Sequence, residues 1–284
     1  MDQKVRIDQA LDWGSKQGVN IQDEDAASSR LDSELLLAHV LDKNRTWLKV
    51  WPEFELSSEQ LLTFKRLIKR RQLGEPIAYI IGSKDFWTLT LKVTPDTLIP
   101  RPETELLVEL VLDKTTDHQA AKIADLGTGT GAIALSIATQ RALSTVYAVD
   151  YSEKALQVAE HNRQAYQLNN VVTHFSNWLL DWPFDKLDII VSNPPYVEPG
   201  DPHLEQLTFE PDMALVALDK GLADIKKISL QATHYLKSGG WLLFEHGYNQ
   251  ADAVQDILQK QGFSGVSTYQ DLAGVDRVTV GQWL

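Results

Sequence analysis

The tetrapeptide Asn193-Pro194-Pro195-Tyr196 directly follows a short apolar run at 187–191. A β-branched run bounded by prolines predicts a buried strand that ends abruptly, and ligands of open α/β sheets bind at the carboxyl ends of strands. Since proline has no N–H, this rigid turn presents hydrogen-bond acceptors, namely the Asn193 side-chain oxygen and the Pro194 carbonyl. Two fixed acceptors suit a planar NH2 group, whose two hydrogens each need a partner. The alternative interpretation is a turn that only ends the strand.

A glycine-rich loop precedes this tetrapeptide in the chain and joins a predicted strand at 122–126 to a predicted helix at 132–140. Glycine lets the backbone turn sharply and lets a ligand approach where a Cβ would collide. Asp150 ends the next predicted strand, where a carboxylate can accept hydrogen bonds from ribose hydroxyls. The candidate cofactor-binding residues of this loop are Gly127, Thr128, Gly129, Thr130 and Gly131.

Two cofactor classes compete for the loop. Gly127, Gly129 and Ala132 satisfy the dinucleotide pattern G-x-G-x-x-[GA]. The compact Gly-x-Gly-x-Gly preceded by Asp125 is more similar to the first motif of class I S-adenosylmethionine methyltransferases. An acidic residue repels a pyrophosphate and attracts a cation, and S-adenosylmethionine carries a sulfonium and an ammonium. The methyltransferase interpretation is therefore favoured over a dehydrogenase or a glycine turn without a ligand.

Trp178 is a further candidate for cofactor binding. It follows the predicted strand at 171–175, within Ser176-Asn177-Trp178. The indole can pack on adenine while Asn177 bonds the edge of the base, or the indole can simply cap the core.

Composition restricts the classes of function. The net charge of -12 argues against broad attachment to nucleic acid, which depends on phosphate neutralisation by Lys and Arg. The absence of cysteine excludes disulfides and thiol catalysis, and we expect no bound metal. No apolar run approaches the length of a membrane span and no secretory signal is apparent, so we expect a cytoplasmic protein that does not contact membranes.

The chain divides into two parts whose sequence patterns predict different secondary structure. Residues 1–75 show helical spacing and no strand pattern, with Ser28 or Ser29 predicted to cap one helix and a Ser57-x-x-Gln60 capping box predicted to open another. Residues 76–97 predict a linking β-hairpin with one strand at 77–81, and residues 98–284 form the second domain. A basic cluster on the last helix of the first part indicates a solvated face or contact with an acidic partner or RNA. It comprises Lys65, Arg66, Lys69, Arg70 and Arg71.

Strand and helix patterns alternate in the second domain, which predicts an α/β fold with a doubly wound parallel sheet. The final pair of strands predicts an antiparallel strand at one edge. Strands are predicted at 122–126, 145–149, 171–175, 187–191, 241–245, 263–270 and 275–281, and helices at 132–140, 153–168, 222–236 and 250–261.

With these motifs in hand, the whole chain resembles the PrmC/HemK family of protein-(glutamine) methyltransferases. The resemblance rests on six segments, at 74–82, 99–105, 125–132, 191–196, 209–211 and 245–247. It implies a helical substrate-binding domain and a hairpin before a Rossmann-like catalytic domain with a mostly parallel seven-stranded sheet. The implied reaction methylates the glutamine side chain of the Gly-Gly-Gln motif in peptide chain release factors, with S-adenosylmethionine as the methyl donor.

The resemblance also implies roles for individual residues. Asn193 touches both cofactor and glutamine, while Pro194, Pro195 and Tyr196 frame the glutamine. The loop at 101–105 walls the pocket or is merely structural. Relatives often carry an acidic residue at the position of Asn177 and an arginine at that of Thr208, which weakens any role for those two positions.

Further expectations concern individual side chains, the oligomeric state and the reaction. Glu210 and Glu245 are interpreted as structural, and His246 as a local hydrogen bonder rather than a metal ligand. We expect a monomer without direct nucleic-acid contact. The alternative function is an adenine-amino DNA or RNA methyltransferase, whose exocyclic NH2 the same tetrapeptide would hold.

Overall fold

The computed structural model describes residues 4–17 and 26–284. The chain divides into two compact units, Met1–Gly82 and Ser83–Leu284.

Among its described residues, the first unit is built from helices joined by short loops, with one isolated β-bridge between Arg6 and Glu55. Its core is one apolar cluster in which Ile7, Leu36 and Phe64 are completely buried. Gly14 lies at a close contact between the first helix and its neighbours, since an added Cβ would come within 2.8 Å of the Ser33 hydroxyl and 2.9 Å of the Phe64 ring. The helices are α1 (Ile7–Gln17), α2 (Ala26–Leu41), α3 (Arg45–Val50), α4 (Ser58–Gln72) and α5 (Ile77–Ile81).

The two predicted helix caps had different outcomes. The capping box of α4 is confirmed, because Ser57 accepts from the Gln60 backbone N–H and the Gln60 side chain accepts from the Ser57 backbone N–H. The predicted cap of α2 is wrong, because the helix begins at Ala26 and already contains Ser28 and Ser29. Any cap of α2 lies outside the described residues.

The predicted strand at 77–81 is also wrong, because these residues form α5. The β-branched isoleucines favour a strand locally, but the helical turn buries Tyr79 and Ile80, and packing routinely overrides propensity. Gly82, in the left-handed region at φ 82°, ends the helix. The hairpin therefore forms later, between β1 (Ser83–Phe86) and β2 (Leu89–Lys92), and belongs to the second unit.

The second unit is an α/β domain, as predicted. Its remaining strands are β3 (Lys122–Leu126), β4 (Thr145–Asp150), β5 (Val171–Phe175), β6 (Leu187–Ser192), β7 (Leu236–Glu245), β8 (Ser264–Gln270) and β9 (Asp276–Gln282). Its helices are α6 (Glu105–Asp113), α7 (Ala132–Gln140), α8 (Glu153–Ala165), α9 (Leu218–Gly221), α10 (Ala223–Tyr235) and α11 (Ala251–Lys260).

Seven strands form one sheet in the order β5-β4-β3-β6-β7-β9-β8. The first five in this order run parallel, and β9 inserts antiparallel between β7 and β8. The predicted mostly parallel sheet with antiparallel pairing at one edge is confirmed. After β5 the chain returns to the other side of β3 to form β6, and such a switch in strand order opens a crevice at the carboxyl ends of the strands.

Both faces of the sheet are buried, which explains the continuous apolar strands. Ile189 and Val191 join the core on one face, with residues of α6 and α7, whereas Ile190 joins the core on the other, with residues of α10 and α11. Parallel strands covered on both faces read as unbroken apolar runs.

The basic cluster of α4 is largely engaged within its own unit. Arg70 pairs with Glu75, Arg71 pairs with Asp32, and the Lys65 ammonium lies 5.4 Å from the centre of the Trp13 ring. Within the described ranges, no helix combines the length and apolar character needed to cross a membrane.

The capping box yields a stability prediction. Replacing Ser57 with alanine removes the acceptor for the Gln60 N–H, so we expect the Ser57→Ala variant to lose about 1 kcal/mol of local stability in α4. Amide hydrogen exchange of α4 in the full chain measures this loss. The matched control is Ser58→Ala, an exposed serine one position later; equal exchange rates in the two variants would contradict the prediction.

Candidate functional site

The candidate site is built on a row of four residues across the carboxyl edge of the sheet. Leu126 of β3 pairs with Val149 of β4 and with Ser192 of β6, and Ser192 pairs with Phe244 of β7. The next residue of each strand therefore lies level with the others, in the order Asp150, Gly127, Asn193, Glu245. The Ser192 hydroxyl donates to the Leu126 carbonyl at 2.6 Å, which adds a bond between the two central strands just below this row.

A cavity of about 350 Å³ opens above the row. It brings together six of the residues that the sequence predicts for the site, and its charged lining is mainly acidic, with Asp96, Asp150 and Asp224 against Lys227. This charge suits a cationic cofactor and opposes a pyrophosphate. The six predicted residues are Gly127, Gly129, Asp150, Trp178, Asn193 and Pro195.

The glycine loop requires backbone conformations that other residues rarely adopt. Gly127, Gly129 and Gly131 have φ angles of 75°, 55° and 84°, all in the left-handed region. A Cβ on Gly127 would lie 3.3 Å from the Trp178 ring. The loop thus passes beneath the indole and leaves room in the cavity for a ligand.

Asp125 supports the loop from below. It is completely buried, and one of its oxygens accepts from the Thr128 hydroxyl at 2.6 Å and from the Ala134 N–H at 3.1 Å. Burial raises the pKa of the Asp125 carboxyl to about 7, although these hydrogen bonds oppose the rise. The sequence suggested that Asp125 attracts the cationic cofactor, but the side chain does not line the cavity and instead holds the loop in place.

Asp150 joins the loop to the strand beside it. Its carboxylate accepts from the Gly129 N–H at 2.9 Å and from the Ser152 N–H at 2.8 Å. Burial raises the pKa of Asp150 above its ordinary value. Each oxygen accepts one of these bonds and retains a further lone pair, which suits a pair of ribose hydroxyls.

Trp178 forms part of the cavity wall in an unusual conformation, with φ 59°. Its indole N–H donates to Asp224 at 3.1 Å, which fixes the ring beside Gly127. Asn177 is engaged by a neighbour, since its side-chain oxygen accepts from the Lys227 ammonium at 2.7 Å. Both side chains line the cavity where a base could pack.

Asn193 lies where two cavities meet. Its Nδ2 donates to the Thr104 hydroxyl at 3.2 Å. A smaller cavity of about 50 Å³ is lined by Arg101, Thr104, the glycine loop and Asn193, so the loop at 101–105 contributes a wall beside the tetrapeptide. Thr128 and Thr130 line this smaller cavity, and Gly131 lines neither.

Glu210 fixes the same loop. Its carboxylate forms an ion pair with Arg101 and accepts from the Ile99 N–H at 3.0 Å. The buried carboxylate thus ties a distant segment of chain to the pocket wall, in agreement with its structural interpretation. His246 also has local partners, because its two ring nitrogens lie 3.0 Å from the Gly247 carbonyl and 2.8 Å from the Thr279 hydroxyl.

Pro194 and Tyr196 differ from Asn193 and Pro195 in their access to the cavities. Pro194 is buried and Tyr196 is partly buried, and neither lines the two cavities described. The Tyr196 carbonyl accepts from Gln250 at 3.0 Å. Burial, with Glu245 adding to it, raises the pKa of the Tyr196 phenol, so this group stays protonated.

Several lining residues escaped the sequence analysis. Tyr151 and Ser152 directly follow Asp150, so the strand-end rule that found Asp150 could have found them. Met213, Val216 and Lys227 carry no such signal, because folding alone brings their segments to the cavity. No cluster of three or more potential metal ligands is found in the part of the chain that the structure describes.

Two family models match the chain. Residues 9–82 match the PrmC N-terminal domain, and residues 102–209 match the methyltransferase small domain.

Curated relatives match almost the full length. A release factor glutamine methyltransferase of Vibrio cholerae is 46% identical and covers 98% of this chain and 97% of its own. Another of that name, from Pseudomonas aeruginosa, is 50% identical, with 91% of this chain and 94% of its own covered. Among solved structures, a methyltransferase from Pyrococcus furiosus superposes with a TM-score of 0.54 at 18% identity, over 75% of this chain and 96% of that one, which shows a shared fold.

The fold and the site define a class I methyltransferase, the class for which S-adenosylmethionine is the methyl donor. The chain belongs to the release factor glutamine methyltransferase family. The favoured interpretation of the glycine loop is confirmed and the dinucleotide alternative is not, which agrees with the acidic lining of the cavity.

Gly127 yields a binding prediction. A side chain there would strain the backbone at φ 75° and press on Trp178, so we expect Gly127→Ala to weaken S-adenosylmethionine binding at least about tenfold. Calorimetric titration measures the affinity. The control is Gly265→Ala, which has a similar φ of 59° but open space around the added methyl group. An unchanged affinity in Gly127→Ala, or an equal loss in both variants, would contradict the prediction.

Proposed function

We propose that this protein transfers the methyl group of S-adenosylmethionine to the side-chain amide nitrogen of the glutamine in the Gly-Gly-Gln motif of peptide chain release factors. One observation carries the proposal, namely that Asn193 lies beside the glycine loop at the boundary between the large cavity and the smaller one. The larger cavity suits the cofactor, and the tetrapeptide suits the amide. The names of full-length relatives at 46% and 50% identity support this choice of substrate.

An amide nitrogen is a poor nucleophile because its lone pair is delocalised into the carbonyl. When bound, S-adenosylmethionine supplies a methyl group activated by a positively charged sulfur. The chain then has to orient the amide: Asn193 Oδ1 and the Pro194 carbonyl would accept its two N–H groups and direct the nitrogen toward the cavity that suits the cofactor. The two prolines restrict the backbone, so little of this orientation has to be created on binding.

The same acceptors favour the reaction itself. Methyl transfer forms the nitrogen–carbon bond as the carbon–sulfur bond breaks, so positive charge passes from sulfur to nitrogen and a neutral thioether leaves. An oxygen acceptor binds such a nitrogen more strongly than the neutral amide. The methylated nitrogen is strongly acidic and then loses its proton to water. No general base has to act first, which agrees with the protonated state of the Tyr196 phenol. The Tyr196 ring lies outside both cavities described, so its assignment to the flat face of the amide rests on the resemblance to the family.

The helical unit is proposed to hold the release factor. Its sequence matches the PrmC N-terminal domain, and it exposes large apolar side chains, among them Trp51, Leu62 and Leu73 at 56%, 52% and 72% of their surface. Exposed aromatic and aliphatic side chains of this kind suit contact with a protein partner. It suits a nucleic-acid backbone poorly, because three of the five cluster cations are already engaged inside the unit.

The substrate prediction is direct. Purified protein with S-adenosylmethionine should add one methyl group to the Gly-Gly-Gln glutamine of a release factor, as measured by mass spectrometry of the peptides. A release factor with glutamate in place of that glutamine is the control and should gain none. Methylation of adenine in DNA or RNA, without any gain on the release factor, would overturn the proposal in favour of the nucleic-acid alternative.

The role of Asn193 is tested separately. Asn193→Ala removes one of the two acceptors, so we expect kcat to fall about 10²- to 10³-fold, while cofactor affinity falls much less. Asn169→Ala, an exposed asparagine at the amino end of β5, is the control and should retain full turnover. Normal turnover of Asn193→Ala with bound cofactor would refute the orientation argument.

A further inference from the structure

Glu245 is an unusual buried carboxyl. It is the last residue of β7 and is completely buried, and within the described ranges neither of its oxygens has a hydrogen-bond partner of ordinary distance and angle. Burying a carboxylate without full compensation is costly, and native proteins keep few such groups. A leucine or methionine would fill this space without burying a carboxyl group, so packing alone does not explain the presence of Glu245.

The sheet places this carboxyl beside Asn193. Ser192 pairs with Phe244, so the residues that follow them, Asn193 and Glu245, lie at the same level of the sheet edge. Thr104 lies against both of them. Its hydroxyl accepts from Asn193 at 3.2 Å, and the Thr104 and Asn193 side chains both act to lower the pKa of Glu245, as neighbouring donors do.

We propose that Glu245 is a positioning residue that acts through Asn193, holding the NH2 end of that amide inward so that its oxygen faces the substrate. This inference rests on the proposed function. An asparagine amide presents either a donor or an acceptor, and the hydrogen bonds around it decide which. A carboxylate only accepts. The Glu245 carboxylate therefore stabilises the orientation in which the NH2 group of Asn193 points inward and Oδ1 points to the cavity.

Thr104 contributes to the same arrangement. Because its oxygen accepts from Asn193, its own hydroxyl proton is directed elsewhere, and the neighbouring acceptor is the carboxyl of Glu245. The negative charge has a second effect. In a site of low dielectric it makes the oxygen of Asn193 a stronger acceptor for the nitrogen that becomes positively charged during methyl transfer.

The proposal requires the ionised form of Glu245, which makes activity depend on pH. Burial raises the pKa of Glu245 to about 7. Among the charged groups that face it, Glu103 raises the pKa further and Arg277 on β9 lowers it; the Tyr196 phenol stays neutral. The ionised fraction thus falls as the pH drops from 8 to 6, and wild-type kcat should fall with it.

The same shift has the opposite effect on stability. The folded state binds this proton more tightly than the unfolded state, so the contribution of Glu245 to stability declines as the pH rises from its ordinary pKa to about 7. Above that range the buried charge destabilises the fold. Replacing Glu245 with glutamine should therefore raise the melting temperature at pH 8, although it slows the reaction.

The test compares Glu245→Gln with wild type on a release factor. We expect kcat to be about tenfold lower at pH 8, because a glutamine orients Asn193 less strictly, with KM values for cofactor and release factor within about twofold of wild type. We also expect the variant to lose the acid limb of the kcat profile, that is, the fall of kcat between pH 8 and pH 6, because a glutamine does not ionise. Glu245→Asp keeps the charge and should keep the acid limb. The control, Asp188→Asn, removes a carboxylate that pairs with Lys237 at the far end of β6, and it should keep both kcat and the limb.

Two results would overturn the inference. One is a Glu245→Gln variant with wild-type kcat and an unchanged acid limb. The other is a variant that is less stable at pH 8 and slower by the same factor at every pH, which is the behaviour of a residue needed only for packing. Failure of the proposed function is a different observation, namely a wild-type protein that does not methylate the release factor.

Discussion

The shared register of four parallel strands is the constraint on which the site depends. Asp150, Gly127, Asn193 and Glu245 come from β4, β3, β6 and β7, and they meet because the last paired residues of these strands are level. A shift of one residue in any strand would turn its side chains to the opposite face. The packing of each face of the sheet against its own core opposes such a shift, since it would place side chains of the wrong size and shape in both cores.

The buried acids at this edge of the sheet differ in their partners. Asp125 holds the glycine loop through Thr128 and Ala134, and Glu210 holds the loop at 99–101. Glu245 lacks such partners. The sequence had suggested a structural role for both Glu210 and Glu245. Asp125 and Glu210 therefore hold loops in place, whereas the fold alone does not explain why the unfavourable burial of the Glu245 carboxyl is retained.

The errors of the sequence analysis have a common cause. Residues 77–81 are isoleucine-rich and locally favour a strand, but burial of one face within the helical bundle makes them α5. Asp125 stands at a position where its charge could meet a cationic cofactor, yet the strand directs it into the core. In both cases burial against the surrounding core decided the outcome, and the local pattern does not show which face of an element becomes buried.

The sequence by itself determined the order of strands and helices in the second unit, the glycine loop, Asp150, the rigid tetrapeptide and the resemblance to a family. These features are encoded locally, in periodicity, in glycine and proline and in the residues that end each strand. Only the tertiary structure decided what they touch. The contacts of Asn193 with Thr104, of Asn177 with Lys227 and of Trp178 with Asp224 join segments far apart in the chain. Such pairs arise from the packing of loops onto one edge of the sheet, and no spacing within a segment predicts them.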